Sequence, residues 1–248
     1  MKFRFLLLGF ALISPSAYAQ IVQGSPIAQR DYSQQGEKEY TNINELARGT
    51  NLLMHKTNAI GSPFAEDRWL MATLVLTNKL PLAPILLKYD VLEHRLLMHQ
   101  PAPSPDSIEL DDHQVTSFVL MEPASNAGPV RQRLFRRFLE GPAAHQLDYV
   151  EVLHEGKYTF LKHHQKTVKH PSFQGMYSTG ALTDEIEDAS LYYLRTPEGT
   201  LTPVKLNLKA IQNAAPALSA ALKAATATQK PRTEADWSAV LNAADPMK

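Results

Sequence analysis

The chain contains 248 residues, with 25 basic and 25 acidic side chains and no cysteine. The absence of cysteine excludes disulfide bonds, thiol catalysis and cysteine-ligated clusters or zinc sites. The balanced charge gives no electrostatic reason for binding to nucleic acid or to an anionic membrane surface. A chain of this length can nevertheless bury enough apolar surface to fold without disulfides.

The first 19 residues have the pattern of a secretory signal peptide. Lys2 and Arg4 form a positive region, residues 5–13 form an apolar run, and residues 17–19 (Ala-Tyr-Ala) suit cleavage after Ala19. The apolar run is shorter than the roughly 20 residues that a membrane-spanning helix needs. We therefore expect an exported protein, periplasmic or extracellular, with no transmembrane segment in the mature chain.

From residue 69 onward the sequence consists of short runs that are typical of β-strands, separated by turn residues. Residues 69–77 (WLMATLVLT) are apolar at nearly every position, which predicts either a strand buried on both faces or a strand in the core of a sandwich. Pro197 and Gly199 predict a type I turn followed by a bulge, whereas residues 166–188 predict an irregular excursion. Further strands are predicted at residues 84–89, 93–99, 107–110, 114–121, 130–138, 191–195 and 200–206.

Residues 147–164 (LDYVEVLHEGKYTFLKHH) predict a β-hairpin that reverses at Glu155-Gly156. Glycine suits a tight reversal because it adopts positive φ without steric cost. Apolar residues occur on both faces of the hairpin. We therefore expect it to lie inside the sheet rather than at its edge.

The register of this hairpin depends on the length of its turn. A two-residue turn would place Leu153 opposite Tyr158 and Glu151 opposite Phe160. A three-residue loop with a bulge would shift these pairs, and the sequence permits either form.

After residue 206 the sequence changes to helical periodicity. Helices are predicted at residues 208–214, about 216–227 and 234–243, with Pro216 in the first turn of the second. Thr233 is expected to cap the last helix, with Asp236 at position N3 and with Trp237, Val240 and Leu241 on its buried face.

The histidines are the first candidates for a site, because five of the nine lie in or near the hairpin. A metal centre needs about three ligands that converge. His163 and His164 are adjacent, so they point to opposite faces of a strand, and the chain has no HExxH or HxH spacing. We predict histidines exposed at strand ends and no metal site. The five are His145, His154, His163, His164 and His170, and the scattered four are His55, His94, His99 and His113.

No other pattern indicates catalysis or a cofactor. The chain lacks a GxSxG elbow, an SxxK pair, a phosphate-binding glycine loop and a dinucleotide fingerprint. The acidic run Asp184, Glu185, Glu187 and Asp188 fits no calcium-loop spacing and predicts a solvated loop. The arginine-rich segment Arg131–Arg137 alternates with apolar residues, which predicts the solvent-facing side of a strand rather than a nucleic-acid patch.

Five segments occur in the order GSPF, LLKYDVLEHRLLM, YVEVLHEGKYTFLKHH, GMYSTG and VKLNLKAI, over roughly residues 60–243. Their succession resembles a family of secreted proteins of unknown function from Gram-negative bacteria, whose leaders end in Ala-Gln. The resemblance implies a β-rich domain with C-terminal helices and assigns no catalytic residue. This chain departs from the family at its C-terminus, where the helices are rich in alanine and low in charge.

These patterns predict a mainly β (α+β) fold, an antiparallel sandwich or open barrel of short strands with two or three C-terminal helices. The expected organisation is a signal peptide (1–19), a polar N-terminal arm (20–60), an antiparallel β domain (61–206) and a helical segment packed on it (207–248).

The expected function is non-catalytic binding or scaffolding, with an unknown protein or a hydrophobic small molecule as partner. One alternative is a carrier of a lipid or other hydrophobic ligand, in a curved-sheet groove lined by Trp69, Tyr158 and Phe160. A second alternative is a hydrolase that uses the histidines or the acidic run.

Overall fold

The computed structural model describes residues 46–52, 59–99, 107–124, 130–170 and 183–246. The main sheet contains strands β1 (Ala47–Leu52), β2 (Leu70–Leu76), β3 (Ile85–Asp90), β4 (Arg95–His99), β5 (Ser107–Leu110), β6 (Val115–Glu122), β7 (Arg131–Arg137), β8 (Tyr149–Glu155), β9 (Thr159–His163), β12 (Leu191–Arg195) and β13 (Leu201–Val204). A second, two-stranded sheet pairs β10 (Lys166–Lys169) with β11 (Glu185–Asp188). The helices are α1 (Leu208–Ala214), α2 (Ser219–Gln229) and α3 (Glu234–Ala244).

The predicted fold class is confirmed. The main sheet is antiparallel, and its strands follow the order β1-β5-β4-β3-β2-β6-β7-β8-β9-β12-β13. Because β1 and β13 stand at opposite ends of this order, the described strands form one open sheet rather than a closed barrel. The arm that was assigned to residues 20–60 contains β1 near its C-terminal end. The predicted signal peptide, residues 20–45 and the GMYSTG segment lie outside the described residues.

Strand β2 shows which face of the sheet forms the core. Leu70, Ala72, Leu74 and Leu76 are buried, and the residues between them are exposed. Of the two alternatives for this segment, burial on both faces is therefore wrong, since Met71 and Val75 are 45% and 49% exposed. Although the segment is apolar almost throughout, the burial of its residues alternates with the period of two that is usual for a strand.

The sheet is strongly curled around this core. Strands β3 and β8 are four positions apart in the strand order, which in a flat sheet would separate them by about 19 Å. Yet the rings of Tyr89 on β3 and Tyr149 on β8 are 5.5 Å apart. Phe118 and Phe135 fill the space between, stacked at 4.8 Å. Packed aromatic side chains therefore occupy the concave side of the sheet here.

The three helices cover a second core at the β8–β9 hairpin. Leu153, Tyr158 and Phe160 cluster there with Trp237, Val240 and other buried helix residues. The predicted helices are confirmed, including the capping box in which Thr233 Oγ1 accepts a hydrogen bond from the Asp236 backbone N–H. None of the helices in the described ranges is long and apolar enough to cross a bilayer.

The β8–β9 hairpin lies inside the sheet, as predicted, between β7 and β12. Its register differs from that of a two-residue turn: Glu151 faces Lys162, and a bulge lies between Val152 and His154. Gly156 does not have positive φ, so the prediction that the reversal needs a positive φ at this glycine is wrong. A Cβ at this position would lie 2.5 Å from Asp245 Oδ2 and 2.7 Å from Asp245 O. Glycine is needed there because the C-terminal segment passes so close.

We expect Gly156→Ala to lower the free energy of unfolding by about 1–3 kcal/mol, the usual cost of overpacking a filled site. The neighbouring exposed Lys157→Ala is the matched control, with an expected change within about 0.5 kcal/mol. Urea denaturation followed by circular dichroism measures both. Equal stability of the two variants would show that the close approach of Asp245 is not what requires glycine.

The segment after the hairpin is more regular than predicted. Residues 166–169 and 185–188 pair as the antiparallel strands β10 and β11. Ile60 forms a parallel bridge to Glu185 beside them. The turn at Thr196-Pro197-Glu198-Gly199 is confirmed, with Gly199 at φ +90° and its N–H donating to Thr196 O.

Candidate metal centre

Asp148, the residue before β8, lies at the centre of a cluster of histidines. Its Oδ2 is 2.8 Å from His145 Nδ1 and 2.9 Å from His163 Nε2. Its Oδ1 is 2.9 Å from His94 Nδ1. The donor atoms of His145, Asp148 and His163 all lie within 4.8 Å of one another. We refer to these three residues as the donor cluster, and to His94 as its neighbour.

A tight backbone turn places two members of the donor cluster side by side. Residues 143–145 form a 3-10 turn, and the Asp148 N–H donates to His145 O at 3.0 Å. The Asp148 carbonyl in turn accepts a hydrogen bond from Phe138 N at 3.0 Å. The loop that connects β7 to β8 is thus fixed at both ends, and its His-x-x-Asp spacing brings both side chains together.

His163 completes the donor cluster from the end of β9. It pairs with Val150 across the hairpin, next to the start of β8. Its ring is 5.1 Å from the ring of Phe138 and 4.9 Å from that of His145. The side-chain amide of Gln165 is 3.4 Å from His163 Nδ1. Since the amide nitrogen can only donate, His163 Nδ1 accepts in this contact and its Nε2–H donates to Asp148 Oδ2.

His94 reaches the cluster from a different part of the sheet. It lies in the turn between β3 and β4, at φ +53°, a conformation that is uncommon for a residue other than glycine. Asp90 stabilises this turn, since its carboxylate accepts hydrogen bonds from Glu93 N and Arg95 Nε, both at 3.1 Å. The curl of the sheet brings the turn against Asp148.

The cluster is buried on one side and open on the other. Asp148 and His163 are buried, whereas the side chains of His145 and His94 are 37% and 56% exposed. Burial by itself would raise the pKa of Asp148. The hydrogen bonds from His163 and His145, together with the charge of His94, outweigh burial and hold the pKa below its usual range. The carboxylate is therefore charged at neutral pH.

Two imidazoles and one carboxylate match the ligands that zinc prefers. Zinc–ligand distances of about 2.0–2.2 Å in a tetrahedron imply about 3.4 Å between neighbouring donor atoms. The present separations from Asp148 Oδ2 are 2.8 and 2.9 Å. Asp148 Oδ2 and each imidazole nitrogen would thus move apart by about 0.5–0.6 Å to admit the ion. Rotation of two imidazole rings at a loop and a strand end can supply such a movement.

The expectation of exposed histidines is wrong for this part of the chain. His163 and His164 do point to opposite faces, but both are buried. His163 contacts Asp148, and His164 Nε2 lies 2.9 Å from Glu151 Oε2 on the other face. His154 is also buried, with Nδ1 2.6 Å from Asn242 Oδ1 in α3. Each buried histidine has a polar partner.

The arginine-rich strand β7 does not present a wet basic face. Arg133 is buried, and its guanidinium binds both carboxylate oxygens of Glu151, at 2.9 and 2.7 Å. Arg131 contacts Glu151 at 2.8 Å, while Arg136 binds Glu140 and Arg137 lies 3.5 Å from Asp112. Every arginine of this strand is therefore paired with a carboxylate.

Glu151 is the most deeply buried carboxylate of this network. Burial would raise its pKa, but the hydrogen bonds from Arg133 and His164 outweigh that effect and hold the pKa far below its usual range. Glu151 is thus a buried charge that depends on its partners. These partners satisfy it fully, so we assign it a structural role.

The acidic run is also explained by local pairing. Lys169 binds Glu187 across the small sheet, and Lys166 lies 3.5 Å from Asp188. His170 Nδ1 is 2.9 Å from Asp184 Oδ1. The predicted solvated loop is instead partly strand β11, held by cross-strand ion pairs.

The three residues proposed to line a hydrophobic groove do not meet. Tyr158 and Phe160 belong to the core beneath the helices. Trp69 precedes β2, where its ring contacts His99 at 5.1 Å and lies 5.1 Å from the Lys88 ammonium. Trp69 thus covers a lysine rather than an apolar groove shared with the other two.

No protein-family model, no curated protein and no solved structure matches this chain. The geometry of the donor cluster is therefore the main indication of function.

Proposed function

We propose that this is an exported, non-catalytic binding protein that holds one divalent transition-metal ion, with zinc as the best fit. The observation that carries the proposal is the convergence of His145, Asp148 and His163 within 4.8 Å. The leader pattern and the resemblance to secreted proteins support export.

The chemistry of the donors favours zinc over calcium or magnesium. Calcium and magnesium take oxygen ligands, and two of the three donors here are imidazole nitrogens. The negative charge of Asp148 favours a cation, and the ring of Phe138 lies against that of His163.

Competition with a zinc-sensitive dye tests the proposal. We expect the wild-type protein to bind one zinc ion, and His163→Gln or Asp148→Asn to weaken binding by more than about 100-fold, above the range for outer contacts. The matched control is His170→Ala, which removes an exposed histidine that also pairs with an aspartate, and it should bind zinc as the wild type does. Equal affinity of wild type and His163→Gln would refute the proposal.

A further inference from the structure

We propose that the bound ion keeps one exchangeable coordination position, open to solvent, which takes an anionic oxygen ligand such as a carboxylate or a phosphate. This inference rests on the proposed metal site, and it assigns a separate role to His94.

The two oxygens of Asp148 face different residues. Oδ2 lies between His145 and His163, the other members of the donor cluster. Oδ1 is held by His94 Nδ1 at 2.9 Å. Because His94 holds Oδ1, the carboxylate can offer the ion only Oδ2. The ion then has three protein donors, one fewer than the four that zinc takes in a closed structural site.

The burial of the ligands indicates where the fourth position lies. Asp148 and His163 are buried, and the ring of Phe138 lies against His163. His145 and His94 are the half-exposed members of the group. The missing fourth donor therefore belongs on the solvent side, where a water molecule or an external ligand can exchange.

The charge of the loaded site selects the class of ligand. A divalent ion with one carboxylate and two neutral imidazoles carries a net charge of about +1, since ligating imidazoles are unprotonated at the ligating nitrogen. An anion neutralises this charge, which a neutral ligand cannot do. In this arrangement His94 is a positioning residue, because it acts on the ion only through Asp148.

Cobalt(II) provides a probe that reports ligand exchange through its visible spectrum. The wild-type protein loaded with one cobalt ion is titrated with sodium acetate and, separately, with inorganic phosphate, against sodium perchlorate, a weakly coordinating salt, at matched ionic strength. We expect a saturable spectral change with acetate or phosphate and none with perchlorate. A metal-sensitive dye in a parallel sample checks that the anion adds to the bound ion rather than removing it.

His94→Ala separates the positioning role from a purely structural one. Without His94, Oδ1 is free to bind the ion as well and competes for the open position, so the affinity for acetate or phosphate should fall by about tenfold or more, while cobalt affinity falls by no more than about 100-fold. Cobalt binding itself should persist. If His94→Ala instead weakens cobalt binding as much as His163→Gln does, His94 is itself a fourth ligand of the ion, and the inference is wrong.

The two proposals fail in different ways. A wild-type protein that binds one cobalt ion but shows no spectral response to acetate or phosphate has a closed site, and this inference is then wrong while the metal site stands. A wild-type protein that binds no cobalt or zinc overturns both.

Discussion

Replacing Arg133 with methionine should lower the free energy of unfolding by about 3–5 kcal/mol, the cost of leaving a buried charge without its partner. Arg133 and Glu151 are both buried, and two hydrogen bonds join them. Methionine fills a similar volume but cannot satisfy the carboxylate. His164 and Arg131 alone would then have to compensate Glu151. Urea denaturation followed by circular dichroism gives the value.

Two further variants distinguish the cost of leaving a buried charge unpaired from the cost of losing an ion pair. Arg136→Met breaks the pair with Glu140, which is more exposed, and should cost no more than about 1 kcal/mol. Adding Glu151→Met to Arg133→Met removes the unpaired charge and should recover much of the loss, because apolar residues often replace a buried pair at little cost. A loss of less than 1 kcal/mol in Arg133→Met would mean that Glu151 is solvated or protonated in the folded protein.

Phe118→Ala should also lower the free energy of unfolding by about 3–5 kcal/mol, through lost apolar burial and the cavity that remains. Phe118 is fully buried, stacks on Phe135 at 4.8 Å and meets the ring of Tyr149 at 5.0 Å. It therefore lies on the concave face, between strands that the curl of the sheet brings together. The measurement is again urea denaturation.

Met71→Ala is the control for this truncation, because Met71 lies on the outer face of the adjacent strand β2. Met71 is 45% exposed, so we expect a loss below about 1 kcal/mol. Comparable losses in the two variants would show that the concave aromatic cluster is not the main core of the curled sheet.

Features that depend on neighbouring residues in the chain could be predicted from the sequence. The capping box of α3 needs only Thr233 and Asp236, and the turn before β13 needs only Pro197 and Gly199. Gly156 could not be explained in this way. Its reason is Asp245, which lies far along the chain and approaches it only after α3 has packed on the hairpin.

The donor cluster was missed for a similar reason. Alternation along a strand correctly separates His163 from His164, but it says nothing about the loop that precedes β8. The His145-x-x-Asp148 spacing beside a hairpin was a usable signal, since one tight turn aligns both side chains. His94 had no such signal, because its contact with Asp148 depends on the curl of the whole sheet.

Anomalous diffraction at the zinc edge, from crystals grown with zinc, tests the metal centre most directly. We predict a single peak about 2.0–2.2 Å from His145 Nδ1, Asp148 Oδ2 and His163 Nε2. The peak should have a water molecule or an anion on its solvent side. Crystals with zinc bound elsewhere, in which Asp148 Oδ2 keeps its separations of 2.8 and 2.9 Å from the two imidazoles, would contradict the proposal.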